Sequence, residues 1–336
     1  MTTVSVVIVN WHSTRFVREC LKSLLAHAKT CQLQIIVVDN ATYDGCEEML
    51  AAEFPAALFI QTGSNLGFAR ANNIGADHAT GEFILLLNPD TLFIEDSLAA
   101  MLNELVARPH AGALGCRLLN GDRTLQTSCV QAFPTILNQT FVSEALMRRF
   151  PNWPLWGISA LYADPQRVSE VEVISGACIL LPREAFRLVQ GFTVSYFMYS
   201  EDLDLCYKLR KIGRPVYYTP HTSLVHFGGG SSRQAASDFS TVMMQSSVSR
   251  FMKLNYGGAY AVAHRIVTFF VALLRLIFIA PLLVFGTKVV RHGLSSFGKW
   301  FAILRWSIGL VPVRPVKIAA ATEPILTGHT AHPSQS

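Results

Sequence analysis

Residues 83–91 read FILLLNPDT, and this stretch decides how the rest of the chain is interpreted. Its five apolar residues, 83–87, show no polar alternation, which predicts a strand buried on both faces, as in a parallel sheet. Pro89 has no N–H to donate, so the strand should end before it. Asp90 would then follow the carboxyl end of a central strand, where open α/β sheets bind their ligands. The alternative is an ordinary turn, because Asn, Pro, Asp and Thr all favour turns.

Three further predicted strands precede this one, and each is followed by a predicted helix. The strands are 4–9, 34–38 and 58–61, and the helices are 13–29, 42–52 and 68–79. This alternation favours βαβ units with right-handed crossovers, and therefore an α/β fold. The polar residues that follow the strand ends are Asn10, Asp39, Asn65 and Asp90. Because such strands end at one edge of the sheet, we expect these side chains to lie along that edge.

The middle of the chain is predicted to contain a hairpin and an irregular excursion. Residues 113–119 and 124–129 flank Asn120 and Gly121, a pair typical of a type I′ hairpin turn. Residues 133–164 are rich in Pro and Trp, and we assign them to a surface excursion that shapes an acceptor pocket.

A second acidic stretch, FMYSEDLDLC at 197–206, predicts a helix with Ser200 at its N-cap. Glu201 and Asp202 would fall in its first turn, where the helix dipole favours anions. One interpretation is that these acids merely cap the helix. The other is a catalytic carboxylate, because three acids in four residues beside two aromatic residues exceed what a cap requires.

Two glycine-containing stretches have both a structural and a functional interpretation. Gly176 interrupts the strand predicted over 171–181, and a glycine inside a strand often marks a close backbone or ligand approach. His226 precedes three glycines, so it is either a loop histidine that makes one hydrogen bond or a metal ligand.

Composition indicates a chain that avoids water in one region and has no special affinity for nucleic acid. Of 336 residues, 51% are apolar and 15% are charged, against roughly 25% charged in ordinary soluble domains. The net charge is +5 and no Lys/Arg run resembles a nucleic-acid-binding stripe. The seven cysteines form no CxxC pair and are expected to be reduced packing residues of a cytosolic chain. No basic segment followed by a long apolar one begins the chain, so no signal peptide is expected.

The apolar excess follows residue 258. Residues 266–286 contain one charge, Arg275, and one proline, Pro281, and their length of 21 residues could span a bilayer. Both flanks are basic, which favours a segment that lies in the cytoplasmic membrane interface over one that crosses it. The residues predicted to contact that interface further on are Trp300, Trp306, Lys299 and Arg305.

The alternatives for this region are a buried pair of helices or a dimer interface, that is, a homo-oligomer. Residues 315–336 are predicted to be a disordered end.

Five stretches in this order resemble inverting family-2 glycosyltransferases of the rhamnosyltransferase-like branch. They are VSVVIVNWHS (4–13), QIIVVDNATYDG (34–45), NLGFARANNIGADHATGEFILLLNPDT (65–91), GFTVSYFMYSEDLDLCYKLRKIG (191–213) and HFGGGSS (226–232). The resemblance implies the GT-A nucleotide-sugar-binding fold, a Rossmann-like, mostly parallel sheet flanked by helices, with a hydrophobic helical, membrane-associated extension. The implied divisions are a catalytic domain over 1–240, a membrane-association region over 241–314 and a tail over 315–336.

The same resemblance implies a nucleotide site along the predicted edge. Asp39 would hydrogen-bond the pyrimidine, with Asn10 and Asn40 beside it. The residues implied to line the nucleotide and its diphosphate are Asn65, Gly67 and Arg70, with Gly67 allowing close backbone approach.

It also implies a cation and a base. Asp90 would hold Mg²⁺ or Mn²⁺ against the diphosphate, with His226 as a second contact; oxygen ligands suit Mg²⁺, whereas an imidazole favours Mn²⁺. Asn88 stands where many relatives carry a first aspartate, which removes one carboxylate. Asp202 would be the general base, and Glu201 would position the acceptor or the base.

The implied reaction is a metal-assisted single displacement. It would move L-rhamnose or a related deoxyhexose from a dTDP- or UDP-sugar to a hydroxyl of a glycan, in particular a lipid-linked one, in cell-surface polysaccharide synthesis. The cation would stabilise the departing diphosphate, and the base would take the proton of the acceptor hydroxyl. The expected location is the cytoplasmic face of the plasma membrane, with peripheral or monotopic attachment to an anionic surface. The alternatives are a polyprenyl-phosphate sugar transferase and a non-catalytic nucleotide-binding scaffold.

Overall fold

The computed structural model describes residues 2–141, 144–162, 167–228, 237–279 and 287–311. The predicted disordered end over 315–336, most of the glycine-rich segment that follows Phe227, and Pro281 lie outside the described residues.

The described residues form eleven strands and eleven α-helices. The strands are β1 (Thr3–Asn10), β2 (Gln32–Asp39), β3 (Leu58–Gln61), β4 (Phe83–Leu87), β5 (Thr91–Phe93), β6 (Ala113–Leu119), β7 (Val130–Gln131), β8 (Ser169–Val171), β9 (Val173–Ile174), β10 (Cys178–Pro182) and β11 (Val216–His226). The helices are α1 (Thr14–His27), α2 (Cys46–Glu53), α3 (Phe68–Asp77), α4 (Ser97–Val106), α5 (Ile136–Phe141), α6 (Glu144–Arg149), α7 (Arg183–Leu188), α8 (Glu201–Lys211), α9 (Ser237–Tyr256), α10 (Gly258–Ile279) and α11 (Thr287–Ser307).

Nine of the described strands form one mixed sheet in the order β3-β2-β1-β4-β10-β6-β11-β5, with β8 also paired to β11. The strands β1, β2, β3, β4, β6 and β11 run in one direction, and β5, β8 and β10 run in the other. Helices α1, α3, α4 and α7 pack against this sheet. The predicted α/β fold with a mostly parallel sheet is therefore confirmed.

The stretch FILLLNPDT forms the central strand β4, between β1 and β10. Its side chains are at most 6% exposed, at Phe83, so both faces are covered, as the uninterrupted apolar run predicted. The strand ends at Leu87, before Pro89. The chain then continues to β5, the last strand in the sheet order, which pairs with β11.

The predicted hairpin after Leu119 is confirmed only as a short antiparallel reversal, and its second strand does not form. Residues 124–129 make one isolated bridge, Leu119 with Leu125, and then a short 3₁₀ helix over Thr127–Cys129. The turn is not of type I′, because neither Asn120 nor Gly121 has a positive φ. Strand β11 has a register shift between Thr219 and Ser223 where it pairs with β6.

The excursion over 133–162 contains α5 and α6 and is anchored by rings. The Phe133 ring lies 6.0 Å from the Phe251 ring of α9 and 5.1 Å from the Tyr207 ring of α8. The backbone N–H of Ile136 donates to the Tyr260 hydroxyl of α10 at 3.1 Å. The excursion therefore joins the sheet region to the C-terminal helices.

The C-terminal helices α9, α10 and α11 pack on one another. Among the described residues, one helix segment, Gly258–Phe278, is long and apolar enough to cross a membrane. It begins eight residues before the predicted start at Ile266. Trp306, predicted to contact lipid, is instead 4% exposed and packs with Val242 and Ala302.

All seven cysteines are free thiols and buried, as expected of packing residues.

Candidate active site

The predicted polar residues lie together where the parallel strands β1, β2 and β4 end, which we call the rim of the sheet. β1 and β2 end side by side, with Asn10 opposite Asp39 in the register. β4 runs beside β1 in the same direction, so Asp90 follows the same edge. β10 is antiparallel to β4, and its beginning reaches this edge as well, because the Asn88 N–H donates to the carbonyl of Ala177 at 2.9 Å. Residues far apart in the sequence are thus collected at one edge.

Both carboxylate oxygens of Asp39 accept hydrogen bonds from this chain. Oδ1 accepts from the Thr42 N–H at 3.1 Å and from its hydroxyl at 2.7 Å. Oδ2 accepts from the Tyr43 N–H at 3.2 Å and from Gln61 Nε2 at 2.9 Å. A nucleobase that donates a hydrogen bond to Asp39 would therefore share the carboxylate with Gln61. Of the present donors, Gln61 has the longest side chain and could most easily give way to the nucleobase.

Asp44, which the sequence analysis did not single out, holds Asn10 and caps α1. Its Oδ1 accepts from Asn10 Nδ2 at 2.8 Å, and its Oδ2 accepts from the Thr14 N–H at 3.3 Å. Ser13 occupies the N-cap position, but its hydroxyl donates to Asn10 Oδ1 instead of capping the helix. Burial alone would raise the pKa of the Asp44 carboxyl, but hydrogen bonds from Thr14, Asn10 and Thr42 outweigh it and hold that pKa below its usual value.

Asn40 and Asn65 lock the loop that leads into α3. Asn40 Nδ2 donates to Asn65 Oδ1 at 3.0 Å, and Asn40 Oδ1 accepts from the Leu66 N–H at 2.8 Å. Asn65 Oδ1 also accepts from the Gly67 N–H at 3.0 Å. Arg70 lies in the first turn of α3 and is half-buried. The loop therefore has one fixed shape at the rim.

A glycine is required at residue 67 because the backbone there lies against Phe197, whereas the expected reason was close approach of the nucleotide. Its φ is +81°, a conformation that L side chains rarely adopt, and a Cβ there would collide with the carbonyl and ring of Phe197. The Phe68 N–H donates to that same carbonyl at 2.8 Å. Because Gly67 has no side chain, the loop can pack against Phe197, four residues before Glu201.

Asn88, Asp90 and His226 form a compact group at the rim. Asp90 Oδ1 lies 3.3 Å from His226 Nε2, and Asn88 Nδ2 lies 3.5 Å from the same nitrogen. Asn88 Oδ1 is buried and accepts no hydrogen bond. Among the described residues, no group of three or more His, Cys, Asp and Glu side chains is placed to hold a metal ion. A cation here would therefore use Asn88 Oδ1, Asp90 and His226 and take its remaining ligands from a diphosphate or water, which suits a divalent ion.

Asp202 is tied to the strand interruption predicted at Gly176. Its Oδ2 accepts from the Gly176 N–H at 2.9 Å, and its Oδ1 accepts from the Leu203 N–H at 2.9 Å. A Cβ at residue 176 would lie 3.3 Å from Asp202, so the predicted close approach is confirmed. Ala177, the next residue, accepts from the Asn88 N–H. Two hydrogen bonds thus connect the Asp202 carboxylate to the group around Asp90. Burial raises the pKa of the Asp202 carboxyl.

Glu201 is a buried carboxyl with an unsatisfied oxygen. It is 7% exposed, and its Oε2 has no hydrogen-bond partner. Burial, followed by the charge of Asp202, raises the pKa of Glu201 to about 8. At neutral pH Glu201 therefore keeps its proton, and the negative charge of the pair rests on Asp202. Ser200, the predicted N-cap, has φ +65° and makes no side-chain cap, whereas Asp202 does accept from the Leu203 N–H in the first turn of α8.

We expect Glu201 to make the protein less stable as pH rises. Its pKa is about 8 in the folded protein and about 4.5 in an unfolded chain, so between these values the folded state binds a proton that the unfolded state does not. The free energy of unfolding should then fall as pH increases from about 5 to about 8, by at most about 1.4 kcal/mol per pH unit. Glu201→Gln has no proton to lose and should flatten this slope in urea denaturation.

The matched control for that experiment is Glu184→Gln, an exposed position in the first turn of α7. Its slope should remain that of the unsubstituted protein. Equal slopes for all three proteins would contradict a raised Glu201 pKa.

Asp204, the third acid of the stretch, anchors α8. It accepts from the Thr193 hydroxyl at 2.5 Å, the Tyr196 hydroxyl at 3.4 Å and Asn255 Nδ2 of α9 at 3.1 Å. Ser247 of α9 donates to the carbonyl of Met198 at 2.9 Å. Sequence reasoning missed both α9 residues, because nothing local marks contacts made by residues about fifty positions further along the chain.

Comparison with known proteins matches part of this chain to a described family. Residues 5–187, more than half of the chain, match the family described as Glycosyl transferase family 2. An N-acetylglucosaminyl-diphospho-decaprenol L-rhamnosyltransferase of Mycobacterium tuberculosis is 29% identical over 208 residues, which cover 58% of this chain and 66% of that relative, slightly less than two thirds. Rhamnosyltransferase WbbL of Escherichia coli is 27% identical over 237 residues, which cover 68% of this chain and 85% of that relative.

A solved structure has the same fold. The mannosyltransferase PcManGT from Pyrobaculum calidifontis, in complex with GDP-Man and Mn²⁺, aligns over 91% of this chain and 86% of that chain, with a TM-score of 0.57 and 17% identity. At this identity the likeness concerns the fold alone, and it confirms the GT-A architecture expected from the sequence.

Proposed function

The chain belongs to glycosyl transferase family 2, and on this premise we propose that it moves a sugar from a nucleotide-diphosphate donor to a hydroxyl of a glycan, with inversion. The observation that supports the proposal most is that hydrogen bonds link Asp202 to the group that contains Asp90. The Asp202 carboxylate is linked through Gly176 and Ala177 to the group that contains Asp90 and His226. We expect one sugar nucleotide to contact both the proposed base and the proposed cation site.

Asp202 is the proposed general base. Because Glu201 holds its proton at neutral pH, Asp202 is the ionised member of the pair. Burial raises the pKa of Asp202 and makes it a stronger base than an exposed carboxylate. Glu201 would then donate a hydrogen bond to the acceptor or to the base, which gives its unpartnered Oε2 a use.

Asn88, Asp90 and His226 would hold the divalent cation. Such an ion supplies positive charge that stabilises the leaving diphosphate. The unpartnered, buried Asn88 Oδ1 supports this assignment, because an unsatisfied buried oxygen lowers stability unless a ligand uses it. The imidazole favours Mn²⁺ over Mg²⁺.

The nucleotide would lie along the locked loop and the ends of β1 and β2. The residues proposed to contact it are Asn10, Asp39, Asn40, Asn65, Gly67 and Arg70. The two similar curated proteins are named rhamnosyltransferases, which supports L-rhamnose or a related deoxyhexose carried by dTDP or UDP. The name of the Mycobacterium tuberculosis protein specifies a diphospho-decaprenol acceptor, which supports a lipid-linked glycan acceptor and a role in cell-surface polysaccharide synthesis.

Transfer assays across nucleotide sugars test this proposal. Purified protein with Mn²⁺, a nucleotide sugar and a polyprenyl-diphosphate-linked N-acetylglucosamine should transfer the sugar to the glycolipid and release nucleoside diphosphate. Thermal shifts should identify the donor, since a ligand at 100 times its Kd stabilises by about 2.7 kcal/mol. Stabilisation by nucleotides without transfer to any acceptor would favour the non-catalytic scaffold instead.

The C-terminal helices are proposed to attach the protein to the cytoplasmic face of the plasma membrane. Only 22% of the apolar window in Gly258–Phe278 is buried, so a buried helical pair leaves most of this surface unexplained. The exposed apolar residues of α10 include Ile266, Phe270, Leu274, Ile277 and Phe278. The Arg275 guanidinium lies 4.2 Å from the Trp300 ring, which reduces the cost of an arginine near lipid. The proposed boundary between catalytic and membrane-association regions near residue 240 falls within α9.

We expect the exposed apolar face of α10 to determine how much of the protein binds to membranes. Phe270→Glu with Ile277→Glu removes two apolar side chains, each 56% exposed. Each would contribute about 1.5–3 kcal/mol if fully buried in lipid, so partitioning should fall at least about 100-fold. Vesicle flotation and carbonate extraction measure this, and activity on a soluble acceptor should persist.

The matched control is Leu188→Glu with Ile212→Glu, which are 57% and 46% exposed on α7 and after α8. It should float like the unsubstituted protein. Complete release of the unsubstituted protein by high salt would contradict insertion. Loss of a dimer without loss of flotation would identify the face as a homo-oligomer interface.

A further inference from the structure

A continuous chain of side-chain hydrogen bonds ends on His226. The ring Nδ1 lies 2.7 Å from Gln126 Oε1. Gln126 Nε2 donates to Asn120 Oδ1 at 3.1 Å, and Asn120 Nδ2 donates to the Thr124 hydroxyl at 2.9 Å. The Thr124 hydroxyl donates to Asp122 Oδ1 at 2.6 Å. Three side chains, those of Thr124, Asn120 and Gln126, thus connect a surface carboxylate to a histidine at the rim.

The carboxylate determines the direction of every link. An ionised carboxylate only accepts, so the Thr124 hydroxyl must donate to Asp122 and accept from the Asn120 amide. Asn120 then presents its oxygen to the Gln126 amide, and Gln126 presents its oxygen to His226. Hydrogen bonds from the side chain and backbone of Thr124 hold the pKa of Asp122 below its usual value, which keeps it ionised. It follows that the His226 proton is on Nδ1.

The backbone holds this chain in place. The Asn120 N–H donates to the Thr124 carbonyl at 2.8 Å, and the Gln126 N–H donates to the Leu118 carbonyl at 2.9 Å. Gln126 Nε2 also lies 3.4 Å from the His226 carbonyl. The short antiparallel reversal over 118–126 therefore places Gln126 beside the imidazole.

With the proton on Nδ1, the Nε2 lone pair faces the rim. It lies 3.3 Å from Asp90 Oδ1, so two electron-rich atoms face each other. The weak contact from Asn88 Nδ2 at 3.5 Å is a poor compensation. The buried Asn88 Oδ1 accepts no hydrogen bond and lies in the same group. A cation would interact favourably with all three of these atoms.

We propose that Gln126, oriented by Asn120, Thr124 and Asp122, is a positioning residue that holds His226 as its Nδ1–H tautomer and so keeps Nε2 available to the cation. The inference rests on the cation site of the proposed function. Hydrogen bonds to the second nitrogen of a ligating histidine fix its tautomer and ring orientation, and their loss typically lowers metal affinity about 10- to 100-fold.

The first experiment reads the tautomer directly and needs no metal, donor or acceptor. The metal-free full chain, labelled with ¹⁵N-histidine, is studied at pH 8, and the His226 signals are assigned with His226→Gln. We expect a protonated Nδ1 and an unprotonated Nε2. Gln126→Met, which keeps the length but removes the acceptor, should shift the ring toward the Nε2–H tautomer. Gln126→Glu, which keeps an acceptor, should preserve the Nδ1–H form.

The second experiment measures Mn²⁺ affinity with thymidine diphosphate by electron paramagnetic resonance. Gln126→Met should weaken binding about 10- to 100-fold, and Gln126→Glu should restore most of it. Gln131→Met is the matched control, because the Gln131 amide donates only at 3.3 Å to the Ser128 carbonyl on the surface.

An Nε2–H tautomer in the unsubstituted protein would overturn the inference. So would a Gln126→Met protein that keeps its tautomer, or that loses it with unchanged Mn²⁺ affinity. If transfer activity is never found but both readouts behave as expected, the proposed function fails while the positioning role stands.

Discussion

Replacing Asp202 by asparagine is expected to lower kcat by about 10²- to 10⁴-fold and to leave nucleotide affinity within about twofold. Asp202 is the charged member of the buried pair because Glu201 keeps its proton at neutral pH. An asparagine has nearly the same shape but cannot take the proton of an acceptor hydroxyl. The loss should therefore appear in the chemical step, measured as single-turnover transfer, and not in donor binding measured by calorimetry.

Asp204→Asn is the informative comparison, since the two acids stand two residues apart and cannot be distinguished by composition. Asp204 accepts hydrogen bonds from Thr193, Tyr196 and Asn255, so its replacement should lower the free energy of unfolding by about 1–3 kcal/mol. Its kcat per folded molecule should change only a few-fold. An unchanged turnover number for Asp202→Asn would remove the base assignment.

The rim was predictable because its cause is local. An apolar run that stops at a polar residue marks a strand end, and parallel strands align their ends. This reasoning identified the positions of Asn10, Asp39 and Asp90 without coordinates. The close approach at Gly176 was also visible, since a glycine weakens a strand interior and is usually kept there where another group must come near the backbone.

What failed depends on contacts between distant segments. The Asn120-Gly121 pair has the composition of a hairpin turn, but antiparallel pairing stops at the Leu119–Leu125 bridge, and the chain then forms a 3₁₀ helix over Thr127–Cys129. The start of α10 was missed because His264 and Arg265 interrupt the apolar pattern. In the structure His264 is 1% exposed, and Arg265 donates to the carbonyl of Trp306 at 2.7 Å.

Residues that hold the site were the least visible. Gln126, Asp44 and Ser247 act on partners 100, 30 and 49 positions away. Their side chains are ordinary loop or helix residues, so no local pattern distinguishes them. Only the packing of distant segments gives them their roles.

Asp90→Asn is expected to lower Mn²⁺ affinity in the presence of nucleoside diphosphate by at least about 100-fold. It removes the charged atom of the group while the fold should persist, because an asparagine amide can donate to His226 Nε2 across the same 3.3 Å. Transfer by the unsubstituted protein should stop with a chelator and return with Mn²⁺. Transfer by Asp90→Asn should need much more Mn²⁺.

The decisive comparison is a double-mutant cycle between Asp90→Asn and His226→Gln. If both side chains bind one ion, removing the second ligand after the first should cost far less than removing it alone, because the ion is already poorly held. Calorimetric Mn²⁺ affinities of the four proteins measure this coupling. Additive losses of Mn²⁺ affinity would mean that the two residues act independently. The imidazole would then have a structural role near the end of β11 and would not bind the cation.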